Sequence, residues 1–127
     1  AVFSDASIGH ADVEAQKSGM KEALKEQEKL GIARYEMPQG WNEHLDAESA
    51  RLSLGAASLF DLNKAFKKIS FPFLIMTGDY DPNLTSSRDM INNADEGELR
   101  VLENVGHGSV LQRPDLTLEN FLDWHGK

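Results

Sequence analysis

Two aspartates and one histidine follow the ends of predicted strands, which is where catalytic side chains commonly lie in parallel sheets. Asp79 and Asp81 follow a continuous apolar run at positions 71–77, and His107 follows an alternating run at positions 98–102. A carboxylate beside an imidazole fixes the tautomer of the ring and stabilises its cationic form, so the other ring nitrogen can take a proton from a nucleophile. These residues therefore predict the acid and the base of a nucleophilic triad.

The elements around these residues predict an α/β unit. The run FPFLIMT at 71–77 is short and apolar, which is typical of a strand buried on both faces, whereas ELRVL at 98–102 alternates, as in a strand at a sheet edge. Between them, Ser86 and Asp89 have the spacing of a capping box that opens a short helix. A strand, a helix and a second strand indicate two parallel strands, whose carboxyl ends meet at one edge of the sheet.

A closing helix is predicted to follow the second strand. Pro114 suits a first helical position, and Leu118, Phe121 and Leu122 give the helix an apolar face. Two strands and their helices leave both edges of the sheet unpaired, so they do not make a self-sufficient α/β sheet. The chain is therefore predicted to be the final part of a larger sheet.

The first half of the chain is predicted to be helical, except at its start. Residues 1–10 are small and polar without a period, and His10 stands alone there; residues 12–30 have an amphipathic helical pattern. Asp46 can cap a second helix from Ala47, which continues to position 69 after a possible break near 60–61. The turn at 38–40 lies among Tyr35, Met37 and Trp41, which either line a pocket or pin the loop to the core; pinning is the commoner role of such residues.

Composition excludes several classes of function. The net charge of -8, from 21 acidic and 13 basic residues, argues against a nucleic-acid partner, which needs a basic face. There is no cysteine, so disulfides and thiolate metal sites do not exist, and the compartment is undetermined. No apolar run approaches the roughly 20 residues of a membrane span. The four histidines lack ligand spacing with carboxylates, so neither a metal nor another cofactor is expected.

Two stretches of the chain resemble the C-terminal end of the α/β-hydrolase fold. They are KKISFPFLIMTGDYDP at 67–82 and LRVLENVGHGSVLQRPDLTLENFLDW at 99–124. In that family an apolar strand ends in Gly-x-x-Asp-Pro, the next strand ends in Gly-His, and a proline opens the closing helix. The resemblance implies that Asp81 is the triad acid, with Asp79 as the second choice, and that His107 is the base. It also implies that residues 1–68 form a helical lid and that residues 69–127 form the C-terminal part of the core, with Tyr35, Met37 and Trp41 as possible pocket residues.

The nucleophile of that family is missing from this sequence. The family places it in a Gly-x-Ser-x-Gly turn between a strand and a helix. Ser109 follows Gly108 without a second glycine two residues on, and Ser58 lies in a helical pattern, so neither is expected to be the nucleophile. The loop that would form the oxyanion hole is missing too. A second polypeptide is therefore expected to supply both, acting on a small acyl substrate such as an ester.

Three interpretations of the sequence remain. In the first, the chain is the C-terminal piece of an α/β-hydrolase, as a processed subunit or a split gene product; the start Ala-Val-Phe-Ser, without methionine, suits a processed segment or a trimmed one. In the second, it is a ligand-binding protein of this fold without catalysis. In the third, it is an independent α/β domain in which Asp81 caps a helix and His107 is a turn residue. The first explains the open sheet, the helical segment and the paired Asp and His together.

Overall fold

The structure is a computed structural model that describes residues 1–8, 12–57, 59 and 62–126. These residues include three parallel strands: β1 spans Val2–Ser4, β2 spans Phe73–Gly78 and β3 spans Gly97–Leu102. The strands form one sheet in the order β1-β2-β3. Leu74 is in register with Val2 on one side and with Glu98 on the other. The two predicted strands are therefore confirmed as parallel neighbours, and β3 lies at an edge of the described sheet, as its alternation indicated.

Strand β1 was not predicted, and the expectation that residues 1–10 hold no regular element was wrong. Three residues are too few to show a period of two, so the sequence carries no strand signal there. Pairing with Leu74–Met76 makes this segment a strand, and Asp5 extends the contact by donating its N–H to the Met76 carbonyl. The sheet thus begins inside the segment 1–68 that the resemblance assigned to the lid. His10, Ser58 and the possible helix break at 60–61 lie outside the described residues.

Six helices are described: α1 (Val13–Lys29), α2 (Ala47–Ala57), α3 (Asn63–Phe66), α4 (Leu84–Asn92), α5 (Ser109–Gln112) and α6 (Pro114–His125). Asp12 caps α1 by accepting from the Ala15 N–H, and Asp46 accepts from the Ser49 N–H at the start of α2, as predicted for Asp46. The capping box at Ser86 was wrong, because α4 already begins at Leu84. The Ser86 hydroxyl instead bonds the Ser7 hydroxyl and accepts from the Ile8 N–H, which ties α4 to the segment after β1. None of the described helices is long and apolar enough to span a membrane.

The hydrophobic core lies on both faces of β2, all six residues of which are buried. On one face Phe73 and Ile75 pack with Phe66 of α3 and Met90 of α4. On the other face Leu74, Met76 and Leu102 pack under α6. This confirms the prediction of a strand buried on both faces and explains its uninterrupted apolar run.

Helix α6 covers the sheet with a different face from the one predicted. Leu116, Phe121 and Trp124 pack on the core, whereas Leu118 and Leu122 are each 56% exposed. An apolar triplet at three- and four-residue intervals fits more than one helical face, and the position of the sheet selects among them. Only Phe121 of the predicted face is in the core.

Gly78 is where β2 packs against the loop that carries His107. A Cβ at this position would overlap the backbone carbonyl of Val105, which cannot move aside as a side chain can. We therefore expect Gly78→Ala to lower the free energy of unfolding by about 3 kcal/mol, as overpacking against backbone does. Urea unfolding followed by tryptophan fluorescence measures this.

The matched control is Gly55→Ala in α2, where an added Cβ meets nothing within 4 Å. Because alanine favours helix, this variant is expected to raise the free energy of unfolding by about 0.5–1 kcal/mol. Equal stability of Gly78→Ala and the unaltered protein would contradict the close packing of β2 on the Val105 backbone.

Candidate active site

The carboxyl ends of all three strands lie at one edge of the sheet because the strands are parallel. Asp5 follows β1, Asp79 and Asp81 follow β2, and His107 follows β3. The structure thus brings together the predicted acid and base, together with one buried carboxylate, Asp5, that the sequence analysis missed.

Asp81 and His107 are in direct contact. The Nδ1 atom of His107 lies 3.1 Å from Oδ2 of Asp81 and 3.3 Å from Oδ1. The Asp81 side chain is 0% exposed, whereas that of His107 is 33% exposed. The acid is therefore shielded from water while part of the ring remains open. A carboxylate that occupies Nδ1 leaves Nε2 as the nitrogen able to exchange a proton with another group.

A tight turn after β2 places Asp81 over the end of its own strand. The Asp81 N–H donates to the Gly78 carbonyl at 3.1 Å, and Oδ1 of Asp81 accepts from the Asn83 N–H at 2.8 Å. The second bond fixes the carboxylate plane, since one oxygen is held by backbone while the other faces the imidazole. The orientation of Asp81 therefore depends on the turn as well as on His107.

Asp79 contacts backbone and not the imidazole. Its side chain accepts from the Val105 N–H at 3.2 Å, and its own N–H donates to the Leu102 carbonyl at 3.0 Å. Asp79 is exposed, whereas Asp81 is buried. The geometry therefore pairs Asp81 with His107, and Asp79 instead holds the beginning of the loop that carries the histidine.

The loop from Glu103 to Gly108 brings His107 back to the sheet edge. Asn104 and Gly108 have φ angles of 62° and 87°, so the backbone enters the left-handed region twice within this loop. The Gly106 N–H donates to Gln112 at 2.8 Å. A Cβ on Gly108 would come within 2.9 Å of the Tyr35 hydroxyl, so the glycine permits the close approach of the Tyr35 segment. Gly108 thus lets the loop turn tightly directly after His107.

Asp81 raises the pKa of His107 above its usual value of 6.5. The largest cause is the hydrogen bond that the ring donates to Asp81; burial acts in the opposite direction, and the negative charges of Asp81 and Asp5 add to the rise. Because a general base must be neutral to accept a proton, the arrangement favours a base that becomes competent as the pH rises through this raised pKa.

Stability is expected to depend on pH through the same pair. Because the pKa of His107 is higher in the folded state, its contribution is fully present below the unfolded value near 6.5. That contribution is lost as the pH rises through the folded pKa. The urea midpoint should therefore fall across the window that begins near pH 6.5, and the fall should be smaller for His107→Gln. An identical pH dependence in the two proteins would contradict the contact.

Helix α1 covers the His107 side of this edge. Gln27, which is 3% exposed, donates to the Asn104 carbonyl at 3.3 Å and to Gln112 at 3.2 Å, so it anchors α1 to the histidine loop. A narrow cavity with an accessible volume of about 30 Å³ lies beside the ring, and its wall is largely apolar: Met20, Ala23, Leu24, Gln27, Tyr35 and Gly106. The helix therefore borders the candidate site.

Of the possible pocket residues, Tyr35 lies at this cavity. Met37 and Trp41 are not among the residues around it and are 42% and 51% exposed. This exposure does not fit the interpretation that they pin the loop to the core. Their role as pocket residues stays a prediction.

Ser109 is buried beneath the histidine loop. Its hydroxyl lies 2.9 Å from Oδ2 of Asp5 and 3.0 Å from the Ser4 hydroxyl, and the residue is 0% exposed. This environment agrees with the inference that Ser109 is not the nucleophile. Its partner Asp5 directly follows Val2–Ser4, just as Asp79 directly follows β2. If β1 had been recognised in the sequence, this strand-end position would have marked Asp5 as a candidate site residue.

Within the described part of the chain, no group of three or more His, Asp or Glu side chains is arranged to hold a metal ion.

No protein-family model and no curated protein matches the sequence. Solved structures do match. The enol-lactonase from Burkholderia xenovorans LB400 superposes with a TM-score of 0.70 at 14% identity, covering 99% of this chain and 55% of that one. An esterase from Exiguobacterium antarcticum gives 0.68 at 17% identity, covering 99% and 56%. An α/β-hydrolase enzyme from a Medee basin deep-sea metagenome library gives 0.63 at 18% identity, covering 99% and 55%.

These matches extend over nearly all of this chain, including the helical segment that precedes β2. The chain spans little more than half the length of each structure. The three-stranded parallel sheet and its flanking helices agree with the fold that the resemblance implied. The chain therefore has the α/β-hydrolase fold in part, as a C-terminal portion of it.

Proposed function

We propose that this chain supplies the acid Asp81 and the base His107 of an α/β-hydrolase that cleaves an ester or a related acyl bond. A serine nucleophile and the oxyanion hole come from the complementary part of the fold, in a partner polypeptide. The observation that carries the proposal is the buried Asp81 carboxylate at 3.1 Å from Nδ1 of a half-buried His107. A carboxylate that holds Nδ1 of a partly open imidazole is the arrangement that a histidine base requires.

The free edge of β1 supports the existence of a complement. Within the described residues β1 pairs with β2 alone, and Val2 is 41% exposed on this edge strand. Unpaired N–H and C=O groups on a parallel strand are a template for another strand. A partner strand parallel to β1 would end on the same side of the sheet as Asp5, Asp81 and His107, so the turn after it would lie on the side where the imidazole lies.

The helical segment has a separate role in the proposal. Residues 12–57 act as a lid, whereas α3, which the resemblance also assigned to the lid, packs on the core through Phe66. Helix α1 is the part of the lid that contacts the histidine loop, through Gln27, and Tyr35 lies at the same cavity. Residues 1–8, although they precede the lid in sequence, belong to the sheet and its end. Met20 and Leu24 present apolar surface beside His107, but the cavity there has room for about one water molecule, so the complement would have to complete the substrate site.

The geometry supports a two-step acyl transfer. Nε2 of His107 takes the proton of the serine hydroxyl as the serine oxygen bonds to the carbonyl carbon, and Asp81 stabilises the imidazolium that forms. The imidazolium then gives its proton to the leaving alcohol as the carbon–oxygen bond of the ester breaks. Water repeats the sequence on the acyl-enzyme, so that a carboxylic acid is released and the serine and His107 are restored. Oxyanion donors from the complement stabilise both tetrahedral intermediates.

A second candidate is a ligand-binding protein of the same fold without catalysis. The apolar side chains beside His107 support it as much as they support the enzyme, since they would contact a ligand whether or not a bond is cleaved. In that case Asp81 and His107 would orient a polar group of the ligand. The experiment below separates the two candidates.

Labelling with a fluorophosphonate serine probe tests the proposal. The protein is isolated from its native source under non-denaturing conditions, labelled, and analysed by intact mass, denaturing gel and peptide mapping. We expect one labelled serine, outside residues 1–127, and loss of labelling after heat denaturation. A labelled serine within residues 1–127 would overturn the proposed division of the triad. Absence of any labelled serine, with retained binding of apolar esters, would favour the binding protein.

A further inference from the structure

Asp5 contacts both loops that carry the proposed acid and base. It directly follows β1 and is 9% exposed, although it is an aspartate. Buried carboxylates are rare unless their bonds define the surrounding structure. The hydrogen bonds of Asp5 join the end of β1 to the segments after Asp81 and after His107.

The carboxylate of Asp5 binds the segment after His107. Oδ2 accepts from the Ser109 N–H and from the Ser109 hydroxyl, both at 2.9 Å. It also accepts from the Ser4 hydroxyl at 2.9 Å. Ser109 is two residues from His107 and begins α5, so these bonds fix where the histidine loop ends. Gly108, which has a φ of 87°, connects Ser109 to His107. The position of Ser109 therefore influences the orientation of the His107 ring.

The backbone of Asp5 binds the segment after Asp81. The Asn83 side-chain amide donates to the Asp5 carbonyl at 2.8 Å, and both groups are buried. The Asn83 N–H in turn donates to Oδ1 of Asp81 at 2.8 Å. A short chain of bonds therefore leads from the Asp5 carbonyl to the carboxylate of the proposed acid.

The conformation of Asp5 is part of this arrangement. Its φ of 53° lies in the left-handed region, which aspartate and asparagine tolerate better than other residues with a Cβ. That backbone turn allows one residue to direct its carboxylate to Ser109 and its carbonyl to Asn83. Oδ1 of Asp5 is buried without a hydrogen-bond partner in the described part of the chain, so ionisation is opposed there, and burial is the largest cause of the raised pKa of Asp5.

We propose that Asp5 is a positioning residue that sets the distance between Asp81 and His107 by binding Asn83 with its carbonyl and Ser109 with its carboxylate. This inference rests on the proposed function for its meaning in catalysis, because the Asp81–His107 pair is the object that Asp5 positions. The physical coupling itself is a property of the folded chain. It can be measured without a nucleophile or a substrate.

The groups around His107 determine which measurement is informative. Among the described residues, Asp81 and Asp5 are the charged groups that act on the ring. The face of α1 beside it presents the uncharged Met20, Leu24 and Gln27, and the Tyr35 hydroxyl approaches Gly108. The pKa of His107, measured by NMR titration of its ring signals in the full chain, therefore reports on both aspartates.

A double-mutant cycle with Asp5→Asn and Asp81→Asn tests the proposal. Asparagine retains the left-handed backbone and one acceptor, but it loses the charge and part of the hydrogen bonding. If Asp5 positions the pair, Asp5→Asn lowers the pKa of His107 more when Asp81 is present than in the Asp81→Asn background. We expect a difference of at least about 0.4, at the lower end of coupling between residues that share a network. Equal decreases in the two backgrounds, or none, would overturn the proposal, because a simple through-space charge acts in both.

Two further variants keep the test decisive. Asp115→Asn removes an exposed carboxylate on α6 and should leave the pKa of His107 unchanged. Should Asp5→Asn fail to fold, Ser109→Ala takes its place, since it removes the hydroxyl bond to Asp5 and retains the backbone bond and the charge. It should lower the pKa of His107 when Asp81 is present and have no effect in the Asp81→Asn background; equal effects would overturn the proposal. The probe experiment decides the proposed function independently, so failure of one inference is distinguishable from failure of the other.

Discussion

His107→Ala is expected to lower kcat for an activated ester by about 10⁴-fold or more in the enzyme assembled with its complement. The reason is that Nε2 is the proposed acceptor of the serine proton, and alanine leaves no group in its place. KM should change much less than kcat, because the ring is proposed to act mainly in the transition state. Steady-state kinetics of the assembled enzyme give both constants.

The control for this variant is His125→Ala. His125 is exposed at the end of α6 and borders Pro72 and Glu98 near the amino ends of β2 and β3, opposite the carboxyl ends where the candidate site lies. Its replacement should leave kcat within about twofold, as most surface substitutions do. A decrease of less than about tenfold for His107→Ala would contradict the proposed general base and would favour the ligand-binding protein.

Asp81→Asn is expected to lower kcat by about 10⁴-fold, as the equivalent loss does in triads that use an aspartate to hold the histidine tautomer. The amide can donate to Nδ1 and thereby hold the wrong tautomer, with the proton on Nε2, where the base must accept. It also cannot stabilise the imidazolium by charge. The measurement is again kcat for an activated ester, and circular dichroism confirms that the variant is folded.

Asp79→Asn is the matched control, since it makes the same change two residues away. Its carboxylate accepts from the Val105 N–H, a bond that an asparagine oxygen can keep. We therefore expect a loss of less than about tenfold in kcat, because no contact with the ring is removed. If Asp79→Asn were the more damaging of the two, the acid would be Asp79, and the 3.1 Å contact of Asp81 would be structural.

Three strands of the described part of the chain end at the candidate site. Asp5 follows β1, Asp81 follows β2 and His107 follows β3, and the proposed complement would add the strand that carries the nucleophile. The proposed acid and base already contact each other in this chain, so the complement would not need to assemble them. It has to bring the hydroxyl and the oxyanion donors to a preformed pair, which is the more favourable case for catalysis.

The sequence predicted the central features of the site because they depend on local patterns. The apolar run of β2 between Ser70 and Gly78 indicated a strand buried on both faces, and all six of its residues are buried. The parallel arrangement of β2 and β3 followed from the helix between them, and it placed Asp81 and His107 side by side. The preference for Asp81 over Asp79 came from the resemblance, and the contact with Nδ1 agrees with it.

The tertiary structure decided what the local patterns left open. Val2–Ser4 is too short to show a strand period and becomes β1 by pairing with β2, so Asp5 had no predicted place at the strand ends. Ser86 has the sequence spacing of a helix cap, but its hydroxyl forms a hydrogen bond with the Ser7 hydroxyl. Helix α6 packs Leu116 and Trp124 on the core, whereas the sequence pattern predicted Leu118 and Leu122 there.

The proximity of the Asp79–Asp81 turn to His107 could thus be predicted from the sequence by itself, because each follows a strand whose pattern is complete within a few residues. The hydrogen bonds of Asp5 with Asn83 and Ser109 could be recognised only in the folded structure, because they join residues about 80 to 100 positions apart. No periodicity reports such contacts. These contacts form because the carboxyl ends of the three described strands lie together on one side of the sheet. That arrangement depends on how the strands pair and not on the sequence of any single segment.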